Sequence, residues 1–174
     1  MSSFFTRQLA SYAAVHRDPR NKATHFIGIP VIVFSLLLVL ALWRIPVGDT
    51  VVTGALVVGV LAVLGWIGLD IGVGLVLGVI MVLFWLAAEW LARQLGSTNT
   101  WIAFAVLFVG GWVLQFLGHH YEGKRPALID NLFQAFIASM FLVAEIMVAL
   151  GWRRDLHDAM ASAPPAPRGL VTPR

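Results

Sequence analysis

The sequence predicts an all-α fold, a polytopic transmembrane bundle of about five apolar helices with an N-terminal interfacial helix. Three observations support this prediction. The chain of 174 residues is 59% hydrophobic and 12% charged, whereas soluble domains carry about 25% charged residues. Apolar stretches of roughly 20 residues, long enough to cross a bilayer, recur along the chain. Tryptophans fall mostly near the ends of these stretches, where indole rings favour the headgroup layer.

The first elements can be placed from hydrophobic periodicity. Residues 4–15 carry apolar side chains at roughly helical spacing with polar ones between them, a pattern typical of a helix lying in the interface. The polar segment 16–25 contains a proline and several charges, which predicts a position at the membrane surface. An apolar run from about 26 to 43 then forms the first predicted span, and it ends in a short polar loop.

The next apolar stretch, residues 51–91, is interrupted only by Asp70 and Glu89. Its length suits two spans joined by a tight turn at about residues 68–72. We expect Asp70 to face water at that turn. Glu89 lies in an apolar run, where a charged side chain is costly, so we expect it to face the protein interior or an interface.

A polar break at residues 93–99 precedes a fourth apolar run from about 101 to 117, and a last run covers about 132–152. Residues 1–158 are therefore predicted to form a single integral membrane domain. The segment 159–174 is rich in Ala and Pro and has the composition of a disordered tail.

Composition also limits the chemistry and the partners. The chain has no cysteine, which excludes disulfides, thiolate metal sites and cysteine nucleophiles. The net charge of +3 comes from basic residues in loops that flank apolar runs, where positive charge normally sets topology. We therefore expect a lipid bilayer as the environment and no nucleic-acid partner, and oligomerisation is left open.

Counting spans brings the histidines together. Four spans separate the two polar segments that carry His16, His25, His119 and His120, and an even number returns the chain to the same membrane face. Imidazole is the commonest side-chain metal ligand, and Glu122 follows His119 by three residues, on one helix face. These five residues are the predicted metal shell. The alternative for any single histidine is a hydrogen bond within the headgroup layer.

Other residues near the two segments have predicted supporting roles. Asn21 and Gln115 are candidates for hydrogen bonds that fix the imidazole orientation, although helix capping or helix-to-helix bonding would also explain them. Arg125 is a candidate contact for an anionic head group. The alternative for such basic residues is the positive-inside bias of membrane proteins.

At these segments the chain resembles the membrane-embedded iron(II)-dependent 2-hydroxy fatty acid dioxygenases, a family with a yeast member that acts in phytosphingosine breakdown. The resemblance covers the two polar segments and the order of the apolar runs between them. The stretch between His119 and Pro126 is one residue shorter here, which changes the angular relation of Glu122 to His119. The residues that carry the resemblance are Tyr12, His16, Pro19, Asn21, His25 and Pro30, then Gln115, Phe116, Gly118 and His119, then Glu122 and the run from Arg125 to Leu132.

The resemblance implies a reaction that the histidines alone do not specify. A long-chain 2-hydroxy fatty acid would be cleaved between C1 and C2 by O₂ at non-haem Fe(II), which shortens the chain by one carbon as in fatty acid α-oxidation. Such a site needs open coordination positions for substrate and O₂. The expected catalytic residues are His16, His25, His119 and Glu122; the expected iron ligands are His16, His25, His119 and His120; the expected substrate contacts are Arg125, Asn21 and Gln115.

Two other functions fit the residues. A lipid-binding or transport protein without chemistry would use Glu89, Glu145 and the loop charges as a pathway. A membrane hydrolase would use zinc to activate water. Localisation is expected in the bacterial inner membrane, or in the endoplasmic reticulum of a eukaryote, with the histidines on the cytoplasmic face. Five spans would put Arg153 and Arg154 on the opposite side, so the last run is alternatively re-entrant or interfacial.

Overall fold

Helices account for most of the chain, as the sequence predicts. The computed structural model describes residues 1–123 and 132–162, with the backbone alone at Val15, Glu122 and residues 132–134. In chain order the elements are α1 (Ser3–Val15), α2 (Pro19–Leu40), β1 (Arg44–Val47), β2 (Thr50–Thr53), α3 (Gly54–Leu69), α4 (Ile71–Glu122), α5 (Leu132–Ala149) and α6 (Arg154–Ala161).

The polar segment after α1 is mostly helical. Asp18 caps α2 by accepting a hydrogen bond from the backbone N–H of Arg20, and Pro19 occupies the first turn, where a missing N–H costs nothing. The helix therefore begins seven residues before the apolar run that starts at Phe26. This early start places Asn21 and His25 in the first two turns of α2.

A small antiparallel hairpin, absent from the prediction, closes the far end of α2. β1 pairs with β2 from Arg44 with Thr53 to Val47 with Thr50, and Gly48 takes a positive φ of 58° in the two-residue turn. Glycine adopts such a backbone readily. The sequence signal for this hairpin is a turn dipeptide between two short runs of β-prone residues. The Thr53 hydroxyl then caps α3.

The turn predicted near residue 70 is confirmed, but the environment of Asp70 is not the expected one. Asp70 separates α3 from α4 and accepts a hydrogen bond from the backbone N–H of Val73, which caps α4. Rather than facing water, it is 3% exposed and binds Arg153 through two hydrogen bonds of 3.0 Å. The partner lies 83 positions away in the sequence, so local pattern gave no sign of it.

The predicted polar break at residues 93–99 is helical except at one residue. Gly96, with φ of 68° and ψ of 174°, interrupts α4 and divides it into arms of residues 71–95 and 97–122. In the first arm Gly74 lies against Ile67 and Gly78 against Val63, so this arm is antiparallel to α3.

The second arm of α4 returns along α2. Gly111 lies against Ile32 and Gly118 against Asn21, so the sequence order is reversed relative to α2. Four helical passes therefore run back and forth between the two polar segments, as the sequence predicts. The start of α2 and the end of α4 meet at one end of the bundle, here called the site end.

About five transmembrane helices are not confirmed. By length and hydropathy, α2 and the stretch Ile71–Tyr121 are each apolar enough to cross a membrane, and the 16-residue α3 is a shorter apolar helix. The bent pair α5 and α6, with 117° between the two helices, adds at most one further span. These two long apolar helices fit a membrane protein.

The last apolar run begins and ends at the site end, in agreement with the alternative that it is re-entrant or interfacial. Near its start, the Phe136 carbonyl accepts a hydrogen bond from the indole N–H of Trp66, close to the end of α3. Beyond its end, Arg153 reaches Asp70 at the turn after α3. The chain then continues as α6, which buries Leu156 and Ala159, so the predicted tail boundary at residue 159 falls within a helix. Residues 163–174 lie outside the described part of the chain.

Candidate metal centre

Three histidines from three helical segments converge at the site end. His16 follows α1, His25 lies in α2 and His119 lies near the end of α4. Their candidate ligand atoms all lie within 4.8 Å of one another, and the exposed fractions of the three residues are 2%, 2% and 7%. The predicted convergence of distant polar segments therefore occurs, in a buried position.

The orientation of two of these rings is set by the backbone. His16 Nδ1 donates a hydrogen bond of 2.9 Å to the Tyr12 carbonyl, and His25 Nδ1 donates one of 2.9 Å to the Asn21 carbonyl. A carbonyl oxygen can only accept, so Nδ1 carries the proton and, in the neutral ring, Nε2 carries the lone pair. Metal-binding histidines commonly make this arrangement, which raises the basicity of the ligand nitrogen.

Aromatic side chains enclose the histidine site on the α1 and α5 side. The Tyr12 ring stacks on the His16 ring with centroids 3.9 Å apart and planes 1° apart. Phe141 of α5 packs against both rings, and its ring centroid lies 4.7 Å from that of Tyr12 and 6.0 Å from that of His16. Burial raises the pKa of the Tyr12 phenol, so this side chain stays neutral at physiological pH. These contacts hold His16, which lies just past the end of α1.

Close approach of α2 and α4 brings His25 and His119 together. A Cβ atom at Gly118 would collide with the Thr24 hydroxyl and the Asn21 amide oxygen, and would lie 3.0 Å from His25 Nδ1. Only glycine leaves room for this contact, and the next residue is His119. The ring centroids of His25 and His119 are consequently 5.0 Å apart.

Asn21 and Gln115 lie beside the histidines, as expected, but neither side chain makes the predicted bond to an imidazole. The backbone carbonyl of Asn21, rather than its amide, holds His25. Both residues are buried, and Asn21 Nδ2 and Oδ1 and Gln115 Nε2 find no hydrogen-bond partner among residues 1–123 and 132–162. Buried amides normally find partners, so we expect the partners of these groups to lie outside the described residues.

The remaining predicted site residues are His120, Glu122 and Arg125, and the structure describes them to different extents. His120 is exposed, because one step along an α-helix turns the side chain by about 100° away from the position of His119. The structure therefore does not place it with the three histidines. Glu122 is the last residue of α4, and its side chain lies outside the described part, as does the whole of Arg125.

The two acidic residues of the transport alternative lie at opposite ends of the bundle. Glu145 binds Lys22 at the site end. Glu89 lies near the hairpin, where Arg44 and Arg93 approach it at 4.0 Å and 3.8 Å. Each carboxylate thus has a local basic partner, and the two do not form a shared polar pathway among the described residues.

Several residues that shape the centre carry no predicted role. Tyr12 and Gly118 belong to the family resemblance, but the residue pattern predicts no histidine contact for either. The four-residue spacing from Tyr12 to His16 on a helix is the signal that could have placed the tyrosine. Phe141 carries no such local signal, since it reaches His16 only because α5 packs against the site end.

The donor set fits a transition-metal ion. Three imidazole nitrogens suit iron, zinc, copper or nickel, and two of the rings are already held in the ligating tautomer by backbone carbonyls. A bound dication would receive no negative charge from these three neutral side chains. Such a centre would bind an anionic substrate group readily, and three protein ligands leave further coordination positions open.

Comparison with known proteins gives concordant results. The profile of the family described as "2-hydroxy-palmitic acid dioxygenase Mpo1-like" matches residues 2–150. A curated relative from Saccharomyces cerevisiae, 2-hydroxy-palmitic acid dioxygenase MPO1, is 35% identical over 161 residues, which cover 88% of this chain and 85% of the relative. No solved structure matches the chain.

Proposed function

Because the chain belongs to the Mpo1-like family of 2-hydroxy-palmitic acid dioxygenases, we propose that it is a non-haem Fe(II)-dependent dioxygenase acting on long-chain 2-hydroxy fatty acids. The family membership supports 2-hydroxy fatty acid dioxygenase activity. The single observation that carries the iron proposal is the buried cluster of His16, His25 and His119.

The proposed reaction removes one carbon from the substrate. The bond between C1 and C2 breaks, C2 becomes the carboxyl carbon of the shortened acid, and C1 leaves as carbon dioxide. One 2-hydroxy acid and one O₂ then give one shortened fatty acid, one CO₂ and one water. The four electrons lost by C1 and C2 reduce both oxygen atoms of O₂, so no further reductant is needed.

We assign iron binding to His16, His25 and His119. Fe(II) bound there would supply the redox chemistry that O₂ needs to react with a closed-shell substrate. The chain itself fixes the His16 imidazole through the Tyr12 carbonyl and the His25 imidazole through the Asn21 carbonyl. It also buries the cluster away from bulk water. We leave His120 out of the ligand set because its side chain is exposed.

The head group of the substrate would lie beside the histidines. The buried amides of Asn21 and Gln115 can donate to and accept from the hydroxyl and carboxylate oxygens. Arg125 is proposed as a charged contact for the carboxylate, and Glu122 as a further ligand or proton acceptor. The substrate carboxylate itself would offset the positive charge that three neutral ligands leave uncompensated.

The proposed setting is a lipid bilayer, with the histidines on the cytoplasmic face. Basic residues concentrate at the site end, which includes Arg17, Arg20 and Lys22, and the positive-inside rule places such an end in the cytoplasm. A site at this depth would let the head group reach the metal while the alkyl chain stays in apolar surroundings.

The test is one anaerobic incubation of purified protein with Fe(II) and a labelled 2-hydroxy fatty acid, followed by O₂ and mass spectrometry. We expect the acid one carbon shorter, in an amount that depends on both iron and O₂. Parallel incubation with Zn(II) is the control. Equal product formation with zinc, or without O₂, would overturn the proposed oxidation, and binding without any turnover would indicate a lipid-binding protein.

A further inference from the structure

An apolar cavity lies one helical turn deeper in the bundle than the histidines. Its volume is about 160 Å³, and α2, α3, the first arm of α4 and α5 enclose it. Phe26, Ile29 and Val33 line it from α2, and Leu142 and Val143 from α5. Nearly all of the lining is hydrocarbon, so the cavity suits an apolar occupant.

The cavity walls continue directly from residues at the histidine site. On α2, Ile29 lies one turn beyond His25, and residues four apart share a helix face. On α5, the Phe141 ring centroid lies 6.0 Å from that of His16 and 6.0 Å from the ammonium group of Lys22, which is one turn before the cavity-lining Phe26. A molecule bound at the histidines could therefore extend into the cavity between α2 and α5.

The surface end of this path carries charge. Lys22 lies one turn before Phe26 on the same face of α2, and its ammonium group binds Glu145 of α5. Ile146, the next residue, lines the cavity. Polar groups thus mark the end near the membrane surface and apolar groups mark the inner end, which is the polarity of a fatty acid with its head group outward.

We propose that this cavity binds the alkyl chain of the 2-hydroxy fatty acid next to its head group. The inference rests on the proposed function. Ligand pockets commonly measure about 300–1,000 Å³, so the smaller cavity holds only the first methylenes, and the remaining chain extends into the bilayer. Since the alkyl chain enters from lipid rather than from water, the cavity contributes to substrate selection through shape and close packing.

A matched pair of variants tests the cavity through turnover. Val143→Phe enlarges a wall residue that is 4% exposed, and Val79→Phe makes the same change on the outer groove between α3 and α4, where Val79 is 64% exposed. We expect V143F to lower kcat/KM for a C16 2-hydroxy acid about tenfold or more, because the added ring displaces the first methylenes and so misplaces the head group at the histidines. V79F should stay within about twofold of the unaltered protein. Equal kcat/KM for V143F and V79F would overturn the proposal.

A second measurement needs neither turnover nor a variant. A palmitic acid analogue with a diazirine near its carboxyl end is photolysed with the metal-free, unaltered chain in lipid nanodiscs. We expect labelled peptides from α2 and α5 around Ile29 and Leu142, with labelling suppressed by excess 2-hydroxypalmitic acid and not by added phosphatidylcholine.

The two measurements separate the cavity from the reaction. Labelling without turnover supports the cavity and refutes the proposed function. Turnover without labelling of these peptides refutes the cavity and leaves the function standing. Suppression by phosphatidylcholine instead of the 2-hydroxy acid would assign the cavity to bilayer lipid and overturn the proposal. Because labelling uses the unaltered chain, it decides the question even if V143F fails to fold.

Discussion

At the scale of single residues, the centre depends on which groups hold the imidazoles. His16 and His25 are tethered by carbonyls four residues earlier in their own chain segments. No side chain is needed for that contact, so ring orientation follows from helix formation. Burial then separates the members of the cluster from the other histidines. His119 is buried with His16 and His25, whereas its neighbour His120 is exposed.

Replacing His119 with Ala tests the ligand assignment, with His120→Ala as the matched control one residue away. We expect H119A to lose metal affinity by about 100-fold or more, because loss of even an outer-shell partner costs about 10- to 100-fold. H120A should keep its metal. The measurement is bound iron per chain after anaerobic Fe(II) reconstitution and desalting. Equal iron content in the two variants would contradict the assignment.

Glycine contacts between helices give a second prediction at this scale. In Gly118→Ala the added methyl meets Thr24 and Asn21, so α2 and α4 must separate, at a cost of about 1–3 kcal/mol in the free energy of unfolding. Gly110→Ala places the same methyl in open space and should stabilise the helix by about 0.5–1 kcal/mol. Denaturant unfolding in detergent measures both. Metal content should fall in G118A alone, and a loss in G110A would argue against the packing explanation.

At the scale of elements, a charged cluster ties the end of the last apolar run to the turn between α3 and α4. Asp70 binds Arg153 and lies 3.5 Å from the N-terminal ammonium group, while Arg153 also binds Asp155. Burial alone would raise the pKa of Asp70, but the hydrogen bonds from Arg153 and the Val73 N–H outweigh it, and the pKa is lowered. The cluster thereby joins α1, α4 and α6.

The direction of this shift predicts acid sensitivity. A carboxylate whose pKa is lower in the folded state contributes its full stabilisation above its unfolded pKa of about 3.9, and the contribution disappears as the pH falls through the folded value. Asp70→Asn should cost about 3 kcal/mol near pH 7, the low end for a broken buried pair, and should flatten the loss of stability below about pH 4.

Thermal unfolding in detergent between pH 3 and pH 7 measures this effect. Asp155→Asn is the control, because Asp155 is half exposed and surface ion pairs contribute about 0–1 kcal/mol. If D70N and D155N had the same pH profile, the Asp70 contact would not be the source of the acid sensitivity.

At the scale of the whole molecule, the return of α5 removes a conflict in the charge distribution. Five spans would have put Arg153 and Arg154 away from the basic histidine segments. Since Arg153 binds Asp70 beside the end of α3, both arginines belong to the site end. The hairpin end carries Arg44 and Arg93, both near Glu89, so the positive charge is concentrated on one side, as the positive-inside rule expects.

The absence of cysteine from the chain makes this topology directly testable. Single variants Arg17→Cys and His157→Cys should react with a membrane-impermeant maleimide from the cytoplasmic side, and Asp49→Cys in the hairpin turn should react from the other side. Labelling of inverted and right-side-out vesicles, compared with the cysteine-free chain, measures this. If His157→Cys reacted from the same side as Asp49→Cys, α5 would cross the membrane after all.

Much of this arrangement could be predicted because the length of each apolar stretch can be read directly from the sequence. The number of spans between the two polar segments then follows by counting. The turn at Asp70, the four passes and the meeting of His16, His25 and His119 followed from them. The Asp70–Arg153 pair and the return of α5 depend on contacts between distant segments, which hydropathy does not encode. The interruption of α4 at Gly96 depends on a single backbone conformation, and nearby polar residues indicated only its approximate place.

The positions of the three histidines in the chain carry one more consequence. His16 and His119 are about a hundred residues apart in a chain of 174, so an ion shared between them would act as a reversible crosslink that closes more than half of the chain into a loop. It could be captured only after the second arm of α4 has come back alongside α2. Loading would then report that the four passes from α2 to the second arm of α4 are in place, and a chain without them would remain without its catalyst.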